Sequence, residues 1–400
     1  MCRAIGSRAR SDESPRACPK STDVGKRSSE QHGHELGGAA LKAAVLTSLD
    51  EPLEIISGLH WPALTRGQVL VRLAYSGVCH SQLMEARGRR GPDAYLPHLL
   101  GHEGTGEVVE LGPGVTKVSA GDLVVLGWIE GHGLDGGPAS YSVGDRVVNA
   151  GRVTTFNEMA VVSENRLVRL PEGVPLDVGV LLGCAVPTGS GILMNEIAPE
   201  PDSTLAIFGL GGIGMSALMA AALFECREVI AVDLAPEKLD LAISFGATRN
   251  VDASKIDPVE AILEATNGRG VDYAVEASGN ARVIEQAFRS VRTGGGLCVF
   301  ASHPASGDRI SLDPHDLIKG RQIRGSWGGS SLPDDALPRF AALYREGRLP
   351  LEKLITHRYP LEGINEALDA LDGGHVGRPL IEIDPALATA TDPKPEESLA

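Results

Sequence analysis

The chain has 400 residues, 42% hydrophobic and 22% charged, a globular composition too long for one ordinary core. Its formal net charge of −15 argues against nucleic acid or an anionic membrane as the partner, because either would repel the surface. Six cysteines, two of them (Cys2 and Cys18) in a polar leader, are too few and too scattered for a disulfide scaffold, which points to a reducing, cytoplasmic setting.

Residues 1–39 are rich in Arg, Ser, Lys and Gly and lack the apolar stretch of a secretory signal, so a disordered leader is expected. From Leu41 to about Arg169 come short β-type runs broken by Gly and Pro: LKAAVLT, GQVLVRLAYSG, GTGEVVELG, GDLVVLGW, FNEMAVV and RLVRL. Turns at that spacing predict a mostly β, barrel-like domain. The period changes near Val178, where TLAIF reads as a buried strand, GLGGIG as a tight turn, and the next residues as an apolar helix and a second strand ending at Asp233. Helix and strand then alternate through GGLCVFAS, which predicts a doubly wound parallel sheet covered on both faces. From about Ser330 two amphipathic helices lead into the strand RPLIEI, whose return completes the first domain. The expected organisation is a catalytic domain of residues 40–185 and 330–385, a dinucleotide-binding domain of 186–329, and a flexible tail of 386–400. No apolar run is long enough to span a bilayer.

The glycine turn carries chemistry because of its context. Gly209, Gly211 and Gly214, with Gly212 between them, follow a strand and open a helix, and Asp233 ends the next strand 19 positions later. Gly209 permits the turn, Gly211 lets a pyrophosphate approach the backbone, and Gly214 lets helix and sheet pack closely. Asp233 suits the ribose hydroxyls and repels a 2′-phosphate, so NAD is favoured over NADP. Lys238 is near enough to touch that ribose, although a solvated helix lysine is the plain alternative.

Three metal-type ligands stand far apart, each beside glycine: Cys79 in GVCHS, His102 in GHEGTGE and Cys184 in LLGCAVPTG. Two thiolates and one imidazole leave a tetrahedral zinc one position short, which is where a catalytic zinc holds water or substrate. A single cysteine is more often a small buried hydrophobe, and that reading is kept for Cys226, at a helix end, and Cys298. Glu103, beside His102, is positioned to tune charge at the metal.

The stretches GHEGTGEVVELGPGV, GDLVV, LLGCAVPTG, GLGGIG and ISFGAT resemble the zinc-dependent alcohol dehydrogenases of the medium-chain dehydrogenase/reductase superfamily, nearest to a class III-like branch, from about Leu41 to Ile383. The resemblance implies a GroES-like catalytic domain joined to a Rossmann domain, with one catalytic zinc on Cys79, His102 and Cys184 and with NAD as cofactor. It implies catalytic roles for Ser81, Glu103 and His80. Ser81 matches the hydroxyl that hydrogen-bonds the alcohol oxygen and passes its proton on, and His80 a position beside the pyrophosphate. Thr188 matches a residue touching the nicotinamide, and Arg378 one that approaches the cofactor phosphates.

Two departures from the family matter. The stretch Gly127 to Thr155 has none of the four cysteines of the structural-zinc lobe, so a second zinc is not expected there, and a remodelled loop near the substrate channel or a partner subunit is. Met84 stands where many relatives place a relay His, and Gln82 where a carboxylate often supports the ligand shell. The expected reaction is reversible hydride transfer between an alcohol and NAD+. Trp128, Ala185, Val186, Ala301, His303 and Trp327 favour an aromatic or medium-length primary alcohol, with a polyol or secondary alcohol as the alternative. Arg87, Arg89 and Arg90 form the one basic cluster near the Cys79 loop. A zinc-free enone or quinone reductase keeps the fold but lacks the three ligands, and a non-catalytic nucleotide-binding protein need not retain them. The apolar strand GGLCVFAS near the sheet edge predicts a homodimer, or a homotetramer.

Overall fold

The computed structural model describes residues 40–374 and 376–391; the leader and the end of the tail lie outside them. The β-rich part folds around one long strand, Gln68–Gly77, which is buried along its whole length except at Arg72. It pairs antiparallel with Gly104–Leu111, with Met159–Ser163 and with the returning strand Arg378–Glu382. Its alternation explains its position: Val69, Val71 and Leu73 pack with Val124, Leu126 and Val162, while Leu70 joins Tyr141, Val148 and Val161 on the other side. The C-terminal strand thus completes the first sheet, as its sequence suggests.

The second half carries a parallel sheet ordered Arg249–Asp252, Glu228–Asp233, Thr204–Phe208, Tyr273–Glu276, Leu297–Phe300 and Gln322–Gly325. This is the doubly wound order, with its switch point beside the first strand, Thr204–Phe208. That strand is wholly buried because its two faces feed different cores. Leu205 and Ile207 pack with Leu218 and Met215 of the helix Gly212–Ala221, and Ala206 and Phe208 with Ile262 and Phe288 of helices on the opposite face. Asp257 and Asn280 accept hydrogen bonds from the first free amides of those opposite helices, Pro258–Ala265 and Ala281–Ser290. The fold is therefore α/β, a GroES-like β-rich part with a Rossmann sheet.

Four expectations change. Leu297–Phe300 is paired on both sides, so it cannot also pair with a copy of itself; the edge strand is Gln322–Gly325. The segment expected to be a flexible tail begins with a helix, Pro385–Thr391, because Leu387 and Ala388 bury against Tyr75, Leu176 and Leu380. Within 127–155 the remodelled stretch includes a hairpin, Ala139–Val143 with Arg146–Ala150, added to a sheet with Leu41–Leu46. Cys226 lies beyond its helix, which ends at Ala221. Among the described residues no helix is long and apolar enough to cross a membrane.

Candidate metal and dinucleotide site

Antiparallel pairing brings the sequence-distant ligands together. Ser76 pairs with Gly104, so the exit of one strand, at Cys79, meets the entry of the other, at His102 and Glu103, and the Gly77 amide donates to the Glu103 carbonyl at 3.1 Å. Cys79 is the N-cap of the helix His80–Ala86, and Cys184 caps Ala185–Gly191. The ligand atoms of Cys79, His102, Glu103 and Cys184 all lie within 4.8 Å of one another. His102 Nε2 stands 3.3 Å from Cys184 Sγ. Zinc–nitrogen and zinc–sulfur bonds of ordinary length put neighbouring tetrahedral ligands roughly 3.5 Å apart, so the spacing fits that metal.

The neighbouring glycines make room for Glu103. A Cβ on Gly77 would lie 2.7 Å from the Glu103 carboxyl carbon, and one on Gly183 would lie 3.0 Å from the Glu103 Cβ and 2.4 Å from the Leu126 carbonyl. Glu103 is fully buried, and both its oxygens accept from Nη2 of Arg378, itself 4% exposed. Burial pushes the Glu103 carboxyl up, with the guanidinium pulling against it. The hydrogen bond from Cys184 holds the Cys79 thiol well below the ordinary thiol range, aided by Arg378 and opposed by burial; the same bond, with burial, pushes Cys184 well up. With both thiols ionised, three negative groups face one guanidinium in a buried cluster, and a divalent cation cancels the two-charge excess. Both spacing and charge fit zinc on Cys79, His102 and Cys184.

His102 Nδ1 is in close contact with the Gln82 amide and lies 3.3 Å from Ser81 Oγ. Gln82 Oε1 also accepts from the Cys79 amide at 3.0 Å, so this neutral side chain ties two ligand segments together. Its role was missed in sequence, where only the absent carboxylate stood out. Thr188 is buried, and its hydroxyl donates to the Cys184 carbonyl at 2.8 Å.

The dinucleotide loop has the required shape. Gly209 takes φ +83°, and a Cβ there would lie 2.8 Å from the Ser278 amide nitrogen, whereas a Cβ on Gly214 would lie 1.9 Å from the Gly209 carbonyl. A Cβ on Gly211 would meet nothing within 4 Å, which leaves that face open for a diphosphate. Asp233 ends its strand and accepts from the Leu210 amide at 2.6 Å, so its carboxylate touches the loop itself. Gly211, Gly212, Lys238 and Arg378 line one cavity of about 190 Å³. Nη1 of Arg378 lies 3.2 Å from where a Gly212 Cβ would be, which sets the guanidinium beside the open face of the loop, while its Nε is buried without a hydrogen-bond partner. His80 is exposed, within the electrostatic reach of Arg89, Asp372 and Lys238.

The cleft also gathers aromatic rings. Trp128 and Trp327 meet edge to face with centroids 4.9 Å apart, and His303 is 6.3 Å from Trp327. Gly127 abuts the Gly183 carbonyl and Gly329 those of Pro187 and Thr188, so both tryptophans follow or precede glycines that flank the Cys184–Thr188 segment. Ala185 and Val186, by contrast, are fully buried, and Val186 belongs to the core with Leu210 and Met215. Each arginine of the basic cluster has an acidic partner: Arg87 with Asp369, Arg89 with Asp372 and Arg90 with Glu85. A further buried acid, Glu276, ends the strand beside the dinucleotide turn. Its Oε1 accepts from the Ser278 amide, its Oε2 has no partner, and burial pushes its pKa up to about 7. An acid closing the apolar run VDYAVE is the signal that sequence reading passed over.

Comparison with known proteins agrees with this geometry. Residues 65–172 match the alcohol dehydrogenase GroES-like domain and residues 212–344 the zinc-binding dehydrogenase family. The chain is 32% identical over 366 residues to S-(hydroxymethyl)glutathione dehydrogenase of Escherichia coli strain SMS-3-5, covering 85% of this chain and 99% of that protein. Among solved structures, benzyl alcohol dehydrogenase of Acinetobacter calcoaceticus matches with a TM-score of 0.78 and 29% identity over 86% of this chain and all of the other. An alcohol dehydrogenase zinc-binding domain protein of Burkholderia ambifaria matches with a TM-score of 0.77 and 31% identity, over 86% of this chain and 99% of that one.

Proposed function

Because the chain belongs to the zinc-dependent alcohol dehydrogenases of the medium-chain dehydrogenase/reductase superfamily, we propose that Cys79, His102 and Cys184 hold its catalytic zinc and that the cleft beside them takes an aromatic or medium-chain primary alcohol. The enzyme is an oxidoreductase acting on CH–OH groups, with NAD and zinc as cofactors. Bound zinc supplies a Lewis acid that polarises the substrate oxygen. Ser81, beside His102, accepts the alcohol proton, and exposed His80 on the same turn carries it toward solvent, since Met84 cannot. Glu103 and Arg378 set the charge around the ligands. The glycines 209, 211, 212 and 214, with Asp233, Lys238, Thr188 and Arg378, bind the dinucleotide, and Asp233 selects NAD over NADP.

The observation that carries the alcohol class is the Trp128–Trp327 pair beside the Cys184 segment. One relative is a benzyl alcohol dehydrogenase and another acts on a glutathione adduct, as their names state. The pairing of Arg87, Arg89 and Arg90 with carboxylates favours the aromatic reading, because an anionic adduct would have to displace those partners. We assign residues 40–185 and 330–385 to the catalytic domain and 186–329 to the NAD domain. A homodimer, or a tetramer built from it, is supported by the edge strand Gln322–Gly325 with exposed Leu317 and Ile318 just before it, and a cytoplasmic setting by the few scattered cysteines.

The test is NADH formation with benzyl alcohol, ethanol and a polyol, before and after chelation and zinc return. Activity should vanish with the metal, return with it, and be highest for benzyl alcohol. Full turnover by metal-free protein refutes the zinc assignment, and a preference for ethanol or the polyol refutes the substrate reading.

A further inference from the structure

Three consecutive residues after Trp327 stand in the left-handed backbone region: Gly328 at φ 61°, Gly329 at 62° and Ser330 at 48°. Glycine adopts that conformation freely and serine does not, so the loop needs an external hold. Trp327 does not supply it, for its indole is 69% exposed and meets Trp128 and His303 edge-on.

The hold comes from Asn195 and Glu196, at the end of a π-helical turn, Ile192–Ile197. Such turns are wider than α-helix and frequently mark functional positions. The hydroxyls of Ser326 and Ser330 donate to Glu196 Oε1 at 2.7 and 2.8 Å, so one carboxylate oxygen grips the loop on both sides of Trp327. Arg324 Nη2 donates to the Glu196 main-chain carbonyl at 2.6 Å and lies 3.7 Å from its Oε2. Asn195 Nδ2 donates to the Gly329 carbonyl at 3.0 Å, and the Gly329 amide donates to Ser326 Oγ at 3.1 Å. The Glu196 side chain is only 7% exposed, which makes these bonds directional and poorly exchanged with water. On its other side the loop is fitted to the helix Ala185–Gly191, since a Cβ on Gly329 would lie 2.4 and 2.5 Å from the Pro187 and Thr188 carbonyls.

We propose that Glu196 is a positioning residue for alcohol specificity: its carboxylate fixes the Trp327 loop and so the aromatic wall that meets the substrate ring. This rests on the aromatic-alcohol reading. Small aliphatic alcohols need no such wall, so the effect falls on KM for aromatic substrates while kcat is left alone.

The experiment uses the zinc-loaded enzyme labelled with 5-fluorotryptophan, with the Trp327 resonance assigned from W327F. In E196A and in the S326A/S330A double variant, KM for benzyl alcohol should rise on the order of tenfold, because misplacing a substrate-contacting group by about 1 Å is sufficient for that. In both variants kcat and KM for ethanol should stay within about twofold and the Trp327 line should shift or broaden. E196Q should restore KM for benzyl alcohol to within about threefold, since its amide oxygen accepts the same two hydroxyls. An unchanged Trp327 line and an unchanged ratio of benzyl alcohol to ethanol KM in E196A and in S326A/S330A overturn the proposal. W327A separates the underlying reading: if it leaves KM for benzyl alcohol at the wild-type value, the aromatic wall and the specificity role fall together, while a shifted Trp327 line in E196A still shows the grip.

Discussion

Replacing Arg378 with Met separates two tasks that the structure gives to one side chain. The Arg378 side chain is 5% exposed and that of its carboxylate partner Glu103 is fully buried, so the substitution strands an acid that water cannot reach. Breaking a buried pair by removing one partner costs about 3–5 kcal/mol. The charge count makes the penalty specific to this cluster: with zinc present the two thiolates, Glu103 and Arg378 sum to neutrality, and R378M leaves one negative charge uncompensated. E103Q in the same background removes that charge and should recover about 2 kcal/mol, less than all because the buried amide is still poorly paired.

NAD binding behaves differently. Nη1 of Arg378 is the guanidinium nitrogen beside Gly212, and losing a hydrogen bond to a charged group costs about 1.5–3 kcal/mol, or roughly 10–150-fold in NAD affinity. E103Q cannot restore a missing donor, so R378M/E103Q should bind NAD as weakly as R378M. Urea unfolding of the zinc-loaded variants reads the first effect, and NAD titration by tryptophan fluorescence reads the second. If R378M unfolds like the wild type, or if E103Q rescues NAD affinity together with stability, the division of labour is refuted.

Two further predictions concern buried carboxylates outside the ligand set. Glu276 has its pKa pushed from 4.5 up to about 7 by burial, so the folded state holds the proton longer than the unfolded one; that stability is full below pH 4.5 and declines as pH rises through about 7. The span is worth roughly 3 kcal/mol, and E276Q should flatten the fall in unfolding free energy between pH 5 and 8; an equal fall in both proteins would sink the argument. Glu164 accepts from the amides of Thr116 and Lys117 through Oε1 and of Leu134 through Oε2, tying the cysteine-free stretch to its neighbours. E164Q sets an NH2 group against one of those donors and should cost about 1–3 kcal/mol, with faster hydrogen exchange at these three amides; unchanged exchange would show that the loop is held otherwise.

What the sequence made legible was whatever chemistry is local. The turn GLGGIG, its flanking strand and Asp233 lie within one supersecondary unit, and the pattern of apolar residues around them leaves little choice of fold. Pairings across the sheet were not legible: Glu103 and Arg378 are 275 positions apart, and each acquired a separate role until the strands Gly104–Leu111 and Arg378–Glu382 were seen on the same central strand. The edge of the Rossmann sheet was misread for a reason contained in the residues. LCVF is apolar at every position, which suits a strand covered on both faces, whereas QIRG is polar and charged, as exposed edges tend to be.

The glycines beside Cys79 and Cys184 read in sequence as loop residues flanking ligands, yet Gly77 is required by Glu103 and Gly183 by the Leu126 carbonyl together with Glu103. Gly77 and Gly183 close on that side chain from two segments, and a methyl group on either would meet it at 3.0 Å or less. The ligand side chains share with Glu103 one small buried volume, closed by Arg378. A metal site written as three ligands is therefore incomplete for this chain. The two glycines make room for the acid, the guanidinium offsets one of the three negative charges, and a divalent cation offsets the other two when both thiols are ionised.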